Sequence, residues 1–596
     1  MKITFAQINT IPGNFEVNYE QVICAIKKAT DDCSDILVFP ELTLCGYGIK
    51  DLIYNPNFSE RNLKYLQMVC EASLIYNGHI FIGHIEKNMC GSGKPFKNVA
   101  TVIHNGLIIG KYIKQLLPFY DVFDEGRYFE PGNELLVVTI KNKRVGVLVC
   151  EDLWNCKGQD DYNHHNNPVA KYRDLCVDMI VSLNSSPYTK NKTTYREHML
   201  SDIARSFPGR FMGIAYCNQY GAQDELVFDG NSMWINNRNN VRIAPNIIPI
   251  GEKYAEGRIV TIDTNAYRNV NVKEHVINSD NDMHYSMCML GLFDYARKTG
   301  FKGIVLGSSG GIDSAVVIAM SALILGKENV YGIRMPSIYN SPMSSDLAEQ
   351  LHKNLGCKDF VVPIQHINLL HHINCGLRLE ERDPINDDHM QLIPVEAYKK
   401  LVQYNEVADE NLQSRMRGQV SMHMANALGL LAVGTCNKCE AATGYFTLFG
   451  DSANLFNPLI DLYKLEVLDF ACWLNKLTNN AIPVEIIARP PTAELKPDQT
   501  DETSLMPYKW LDRVVRLYIE HNVITYKDFI QNITDEISVI YGHMPTGANI
   551  IITENEYNRI IGIIERNEFK RRMVAMGPKL TVKSFGTGRR VPVVKG

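Results

Sequence analysis

Residues 303–320 read GIVLGSSGGIDSAVVIAM, and this stretch decides the architecture of the C-terminal half. Ile304–Leu306 is an apolar, β-branched run, a Ser/Gly turn follows, and Ser314–Leu325 is an apolar segment of helical length. A strand turning tightly into a helix is predicted. Glycines let backbone N–H groups converge, and a helix N-terminus favours negative charge, so such a turn suits a phosphate. Asp313 is placed to hold a Mg²⁺ on phosphate oxygens, while Ser308, Ser309 and Ser314 offer hydroxyl donors. The turn lacks the GKS/T ending of a Walker loop.

Working outward, the strand VYGIRMP and a helix over Ser344–Leu355 follow, and a helix over Met287–Thr299 precedes. Strand–helix–strand–helix order predicts a doubly wound parallel sheet. The Asn- and Asp-rich stretch 266–285 reads as a linker, which leaves 286–596 as one domain and 1–265 as another. In the first domain KITFAQIN, DILVFPE, HIFIGHIE, RVGVLVCED and MIVSLNSS read as strands, and 18–29 has helical spacing. That alternation is α/β, a class in which strand ends usually carry the chemistry. Two polar stretches, 376–392 and 490–507, read as long loops of the kind that close over sites.

A chain of 596 residues calls for more than one hydrophobic core. With 45% hydrophobic and 21% charged residues it is an ordinary folded composition. A formal net charge of −5 offers no basic footprint for nucleic acid. The most basic part, 568–590, holds Lys570, Arg571, Arg572, Lys579, Lys583, Arg589 and Arg590, and reads either as a solvated face or as a local seat for phosphates. The N-terminus has no apolar signal core, and no stretch approaches the roughly 18–20 apolar residues of a membrane span. Fifteen cysteines without framework spacing suit reduced thiols, so a cytoplasmic enzyme is expected.

Three first-half segments carry chemistry. DILVFPEL delivers Glu41 after an apolar run, GKYIKQLLPFYDVFDEGRYF carries Lys114, and RVGVLVCEDLW delivers Cys150. A thiol attacks an amide as thiolate, which requires a base and a positive neighbour; Glu41 and Lys114 are of those types. Taken alone, Cys150 reads more readily as a buried core cysteine and Glu41 as an incidental strand terminus. Together FPEL, KxxLPxYxVFDExRYF and CED resemble the nitrilase, or carbon–nitrogen hydrolase, superfamily. The resemblance implies a four-layer α-β-β-α sandwich and a thioester mechanism. Glu41 would be the general base, Lys114 the oxyanion residue and Cys150 the nucleophile, with Tyr120, Ser186 and Lys192 on glutamine.

In the second half SGGIDS resembles the N-type ATP pyrophosphatases, enzymes that release AMP and pyrophosphate. The run NLQSRMRGQ, then GTCNKCEAATGYFTLFGD, DLYKLEV and PPTAELKPDQTDETSLMPY resemble, in that order, the NAD⁺ synthetase family. The resemblance implies a Rossmann-like, adenine nucleotide α-hydrolase domain that amidates deamido-NAD through an acyl-adenylate, with ammonia from glutamine. ATP would contact Gly307, Ser308, Ser309, Gly310, Gly311, Ile312, Asp313, Ser314, Thr435, Lys464 and Thr492. Deamido-NAD would face Asn411, Arg415, Glu440, Tyr445, Asp451 and Lys570, and Asp313 with Glu440 would hold Mg²⁺. Asp501 and Glu502 belong to the same pattern. The closing FKRRMVAMGPKL departs from the family's KRxQxPPGPK over Met573–Met576. An oligomer of this chain is expected, with a protein path for ammonia and with ATP, glutamine and deamido-NAD as small-molecule partners. Another amidating ATP pyrophosphatase, acting on a different carboxylate, remains the alternative. A silent NAD-binding regulator would have lost Cys150, Glu41, Lys114 or Asp313, and all four are present. The CxxC of Cys436 and Cys439 lacks a second metal-binding pair and reads as packing. The pairs His164–His165 and His371–His372 read as loop or core histidines.

Overall fold

The computed structural model describes residues 1–155, 166–236, 240–243, 257–265, 280–337, 339–364, 406–492, 494–495, 504–541 and 552–594. Outside these lie the loop 376–392, part of 490–507 with Asp501 and Glu502, the two histidine pairs and residues 266–279. The chain divides into two compact units, Met1–Lys298 with Lys579–Val582, and Thr299–Pro578 with Lys583–Gly596. No helix among the described residues is long and apolar enough to cross a membrane.

The first unit is built on two six-stranded sheets. One contains β1 (Lys2–Gln7), β2 (Ile36–Val38), β3 (His79–Lys87), β4 (Phe96–His104), β5 (Leu107–Ile113) and β14 (Arg258–Asp263), in the order β14-β1-β2-β3-β4-β5. The other contains β6 (Val137–Ile140), β7 (Lys143–Val149), β8 (Met179–Asn184), β9 (Gly213–Asn218), β12 (Ser232–Ile235) and β13 (Asn240–Ile243), in the order β13-β12-β9-β8-β7-β6. A hairpin of β10 (Tyr220–Gln223) and β11 (Leu226–Asp229) stands apart. Both sheets are parallel at their centres, where β1-β2-β3 and β7-β8-β9 run together.

Ile3, Phe5, Val38 and Phe81 of one sheet share a core with Val147, Leu148, Ile180 and Ile214 of the other. The central strands are therefore buried on both faces, which explains why apolar runs outweigh alternation in this half. The helix Phe15–Asp31 starts where the Asn14 side chain accepts from the Val17 amide at 3.1 Å. Its residues Val22, Ala25, Ile26 and Ala29, at helical spacing, pack with Leu66 and Val69 of Phe58–Ala72 on the outside of the first sheet. Tyr172 and Leu200, from the helices Pro168–Asp174 and Lys192–Ser206, complete the second side, and the result is the α-β-β-α sandwich.

The stretch 266–285, which reads as a linker, is helical from Asp280 onward, and the helix Asp280–Thr299 groups down to Lys298 with the first unit. The cause is a buried tertiary anchor. Asp294 accepts from Asn9 Nδ2 at 2.8 Å and from the Ala222 amide at 2.7 Å, and Lys298 donates to the Thr10 and Ala222 carbonyls.

The second unit holds an all-parallel sheet of β15 (Ile304–Gly307), β16 (Val330–Arg334), β17 (Lys358–Val361) and β18 (Leu431–Ala432), ordered β17-β16-β15-β18. Sequence order reverses between β15 and β18, and the crevice beyond strand carboxyl ends at such a switch point is where open α/β sheets bind ligands. The helix Ile312–Leu325, predicted from Ser314, is apolar around its whole circumference and is buried at ten positions.

Candidate active sites

In the first unit β7 ends at Val149, and Cys150 opens a 3-10 turn, Cys150–Leu153, with φ +45°. A non-glycine residue in that region costs roughly 1–3 kcal/mol and persists where the surroundings enforce it. Asp152 does the enforcing. Its carboxylate accepts from the Val149 amide at 3.0 Å, the Gln115 and Leu116 amides at 3.1 and 2.9 Å, and the Tyr112 hydroxyl at 2.8 Å. One buried side chain thus ties the cysteine turn to the segment that follows Lys114.

Lys114 has no exposed side-chain surface and donates to Glu41 Oε1 at 2.7 Å and to both oxygens of Glu125, at 2.9 and 2.7 Å. Burial pulls its ammonium down, but Glu125 and Glu41 outweigh that and hold it well above the usual lysine range. Burial, with the charges of Glu41 and Glu125, pushes the Cys150 thiol well up against the pull of Lys114. These surroundings favour the thiol form of Cys150 over the thiolate. Glu125 is absent from the sequence-derived site, although it lies within the quoted DExRYF pattern. Burial pushes its carboxyl up, and Tyr47 donates its hydroxyl to Oε1 at 2.8 Å.

Around this cluster, the Tyr120 hydroxyl donates to Glu151 Oε2 at 3.0 Å. The Ser186 amide donates to Asn218 Oδ1 at 2.9 Å. Lys192 opens its helix with its ammonium 5.7 Å from the Trp154 ring centre, and burial, Arg196 and Lys579 pull it down to about 8. Cys150 and Asp121 oppose that shift. A carboxylate (Glu151) and an ammonium (Lys192) near one thiol are charges complementary to an α-amino acid.

In the second unit the crevice between β15 and β18 opens as a cavity of about 310 Å³. Gly307, Ser308, Ser309, Gly311, Ile312 and Asp313 line it with Thr435, Glu440, Tyr445, Asp451, Lys464 and Thr492. The Ser309 hydroxyl receives the Gly311 amide at 3.1 Å and lies 3.1 Å from Ser314 Oγ. Ser308 Oγ is buried without a hydrogen-bond partner among the described residues. Lys464 Nζ stands 2.5 Å from Asp313 Oδ2 and 3.8 Å from Glu440 Oε1, so an ammonium lies between the two carboxylates expected to hold a metal. Asn437 caps its helix in a capping box with Glu440 and donates to Asp313 Oδ1 at 3.1 Å.

Gly310, Ser314, Asn411, Arg415 and Lys570 lie outside the cavity lining. Asn411 accepts from Thr447 Oγ1 at 2.7 Å, Arg415 donates to the Leu448 carbonyl at 3.2 Å, and Lys570 donates to the carbonyls of Gly444 and Phe446 at 2.8 and 2.9 Å. All three thereby brace the 444–451 segment, whose Asp451 accepts from the Thr447 amide and Ser414 Oγ. Arg417, the second cation of NLQSRMRGQ and suited like Arg415 to a dinucleotide's phosphates, lines the cavity, donates to Asn340 Oδ1 at 2.9 Å, and is pulled down to about 10 by burial.

In the basic stretch Arg571 and Arg572 pair with Glu568, Arg589 with Glu565, and Lys579 with Asp121. Main-chain atoms fix the divergent segment before Gly577, since Asn457 donates to the carbonyls of Ala575 and, through its amide, Met576. Cys439 donates to Asp512 Oδ1 at 2.9 Å, while Cys436 contacts the Asn437 carbonyl at 3.6 Å.

The chain matches the carbon-nitrogen hydrolase family over residues 2–246 and the NAD synthase family over 284–574. It is 35% identical to the glutamine-dependent NAD(+) synthetase of Thermotoga maritima, covering 100% of this chain and 98% of that one. It is 32% identical to the protein of the same name from Acinetobacter baylyi, again over 100% and 98%. A solved glutamine-dependent NAD+ synthetase from Acinetobacter baumannii, in complex with ADP, superposes with a TM-score of 0.70 at 29% identity, over 99% of this chain and 98% of that one. The Cytophaga hutchinsonii enzyme shares the fold, with a TM-score of 0.75 at 18% identity over 100% and 98%.

Proposed function

Because the chain belongs to the glutamine-dependent NAD(+) synthetases, we propose that its two units divide one amidation between an amidase at Cys150 and an ATP-consuming ligase at the phosphate turn. The overall reaction is the ATP-dependent amidation of deamido-NAD to NAD⁺ with glutamine as nitrogen source. Residues 1–265 are assigned to the amidase and 286–596 to the ligase, although 286–298 and 579–582 group with the first unit.

At the first site the Cys150 thiol gives its proton to Glu41 as sulfur attacks the glutamine side-chain amide. Lys114 faces the oxyanion, and Glu41 returns the proton to the departing ammonia before activating the water that hydrolyses the thioester. Tyr120, Ser186 and Lys192 hold the amino acid, Lys192 opposite its carboxylate. The observation that carries this reading is Lys114, sealed 2.7 Å from Glu41 in the unit where Cys150 is held at positive φ.

At the second site the nicotinate carboxylate attacks the α-phosphate of ATP, since a carboxylate becomes an acceptor for ammonia only once AMP is its leaving group. Pyrophosphate leaves over the turn Gly307–Ser314, with Thr435, Lys464 and Thr492 on ATP. Asn411, Arg415, Glu440, Tyr445, Asp451 and Lys570 form or brace the deamido-NAD side. Asp313 and Glu440 fit a Mg²⁺, because a cationic Nζ already stands between their oxygens and Mg²⁺ is commonly bound by one or two carboxylates plus substrate phosphates. When bound it neutralises phosphate charge. The enzyme is assigned to the cytoplasm, as an oligomer of this chain that passes ammonia onward unreleased.

The deciding experiment follows NAD⁺ formation by wild type and Cys150→Ala with ATP, Mg²⁺ and deamido-NAD, using glutamine or ammonium chloride. Loss of only the glutamine reaction in Cys150→Ala is expected. Absence of NAD⁺ from both nitrogen sources in wild type overturns the assignment.

A further inference from the structure

Asn98 sits on β4 opposite Ile85 of β3, and it is 1% exposed. Its main-chain carbonyl accepts from the Lys114 amide at 2.9 Å, and its side-chain Nδ2 donates to Glu41 Oε1 at 2.7 Å. Lys114 Nζ donates to that same Oε1 at 2.7 Å. Among the described residues the other oxygen, Oε2, accepts only from the Ser185 amide, at 3.3 Å. One strand residue therefore holds the lysine by its backbone and the carboxylate by its side chain.

A sealed strand position ordinarily suits an aliphatic residue. Asn98 leaves its own Oδ1 buried with no partner among the described residues, an arrangement that works against stability. Its benefit falls on Glu41. A short, charge-assisted bond at Oε1, beside the one from Lys114, saturates that oxygen and fixes the plane of the carboxylate.

We propose that Asn98 is a positioning residue of the amidase: with Lys114 it occupies Oε1 of Glu41, so that Oε2 alone exchanges protons during the reaction. The proposal rests on the amidase reading above. The Cys150 S–H proton passes to Oε2 as the S–C bond forms, then to nitrogen as the C–N bond breaks, leaving thioester and ammonia. In hydrolysis a water proton passes to Oε2 and on to the departing thiolate.

The test uses the full chain carrying Asn98→Leu or Asn98→Asp, the second keeping the side chain's shape while removing its donor. Glutamate release is measured against glutamine concentration, and NAD⁺ formation is measured with ammonium chloride. The expected result is a fall in glutamine kcat of roughly ten- to hundred-fold, the scale of one lost hydrogen bond to a charged group. KM for glutamine should move by less than about threefold, and the ammonium reaction should hold. A glutamine kcat within about twofold of wild type in both variants overturns the proposal, as does a raised KM with kcat intact. A parallel loss of the ammonium reaction in Asn98→Asp makes the role merely structural and overturns it too. Wild type that releases no glutamate overturns the amidase reading itself.

Discussion

Two adjacent glycines of the phosphate turn offer a matched pair of perturbations. Gly310 has φ +73°, and a Cβ there would lie 2.1 Å from the Ser344 carbonyl oxygen and 2.9 Å from its carbon. Ser344 belongs to the first turn of the helix Pro342–Leu355, where its amide bonds to the Ser341 carbonyl at 3.1 Å, so the obstacle is rigid main chain. Gly310→Ala combines a left-handed penalty of about 1 kcal/mol with an overlap that a C···O separation of about 3.3 Å would relieve. The turn must retreat by about 1 Å, and a misplacement of that size costs about a hundredfold in rate. Gly311 differs. It caps the next helix at φ −90°, and its Cβ would meet only the Ser309 hydroxyl, at 3.2 Å, which can rotate away. Gly311→Ala should stay within about fivefold of wild type, as substitutions that displace no backbone usually do. The assay is NAD⁺ formation from ammonium chloride with ATP varied, so that the amidase plays no part. If Gly310→Ala kept kcat/KM for ATP within about threefold of wild type, or lost no more than Gly311→Ala, the reasoning would fail.

The glutamine site should be pH-dependent through Lys192, whose ammonium is pulled down to about 8 by burial and by the cations Arg196 and Lys579. It is charged at pH 7 and neutral well above 8, so KM for glutamine should climb as pH rises through about 8. Lys192→Arg should flatten that climb, because arginine keeps its charge; a wild-type KM that stays flat to about pH 9.5 would refute the role. Ammonia handed on unreleased should escape an added ammonium scavenger, so that NAD⁺ formation from glutamine continues while that from ammonium chloride stops. Loss of both refutes channelling.

What the sequence discloses follows from how local each cause is. Glu41 and Cys150 are legible because an apolar run stops abruptly at each, and the phosphate turn because glycines and serines interrupt a strand-to-helix pattern. Glu125 is not: it sits in the 3-10 turn Glu125–Arg127, with no strand end to mark it. Its trace was one glutamate inside DExRYF, a pattern read only as a whole. Asn98 left one signal, a polar residue whose alternate neighbours along the strand, Phe96 and Ala100, are apolar. The two-residue strand β18, which creates the switch point, is too short for any periodicity to reveal. The start of the helix Asp280–Thr299 is hidden for another reason. Its Asn- and Asp-rich opening looks like a linker, and the bonds that hold Asp294 come from Asn9 and Ala222, far away in the chain.

Both sites are organised around a lysine between two carboxylates, and the differences between them follow the work proposed for each. Lys114 bonds to Glu41 and to Glu125, each at 2.7 Å at closest, and neither it nor Glu41 has any exposed side-chain surface. Removing one member of this buried cluster would leave uncompensated charge out of water, which is costly, so that array is fixed before substrate arrives. Burial, with the charges of Glu41 and Glu125 beside it, pushes the Cys150 thiol up. In the proposed amidase reaction proton transfer to Glu41 then accompanies attack, and a single well-aimed carboxylate oxygen matters more than a pre-formed thiolate. Lys464 is held unevenly, 2.5 Å from Asp313 and 3.8 Å from Glu440, and those carboxylates are 17% and 18% exposed. Solvent reaches them, so shifting that ammonium toward a phosphate and admitting a divalent cation costs far less than breaking the sealed cluster. The lysine that must stay is closed in on every side, and the one that must yield is held close by one carboxylate and loosely by the other.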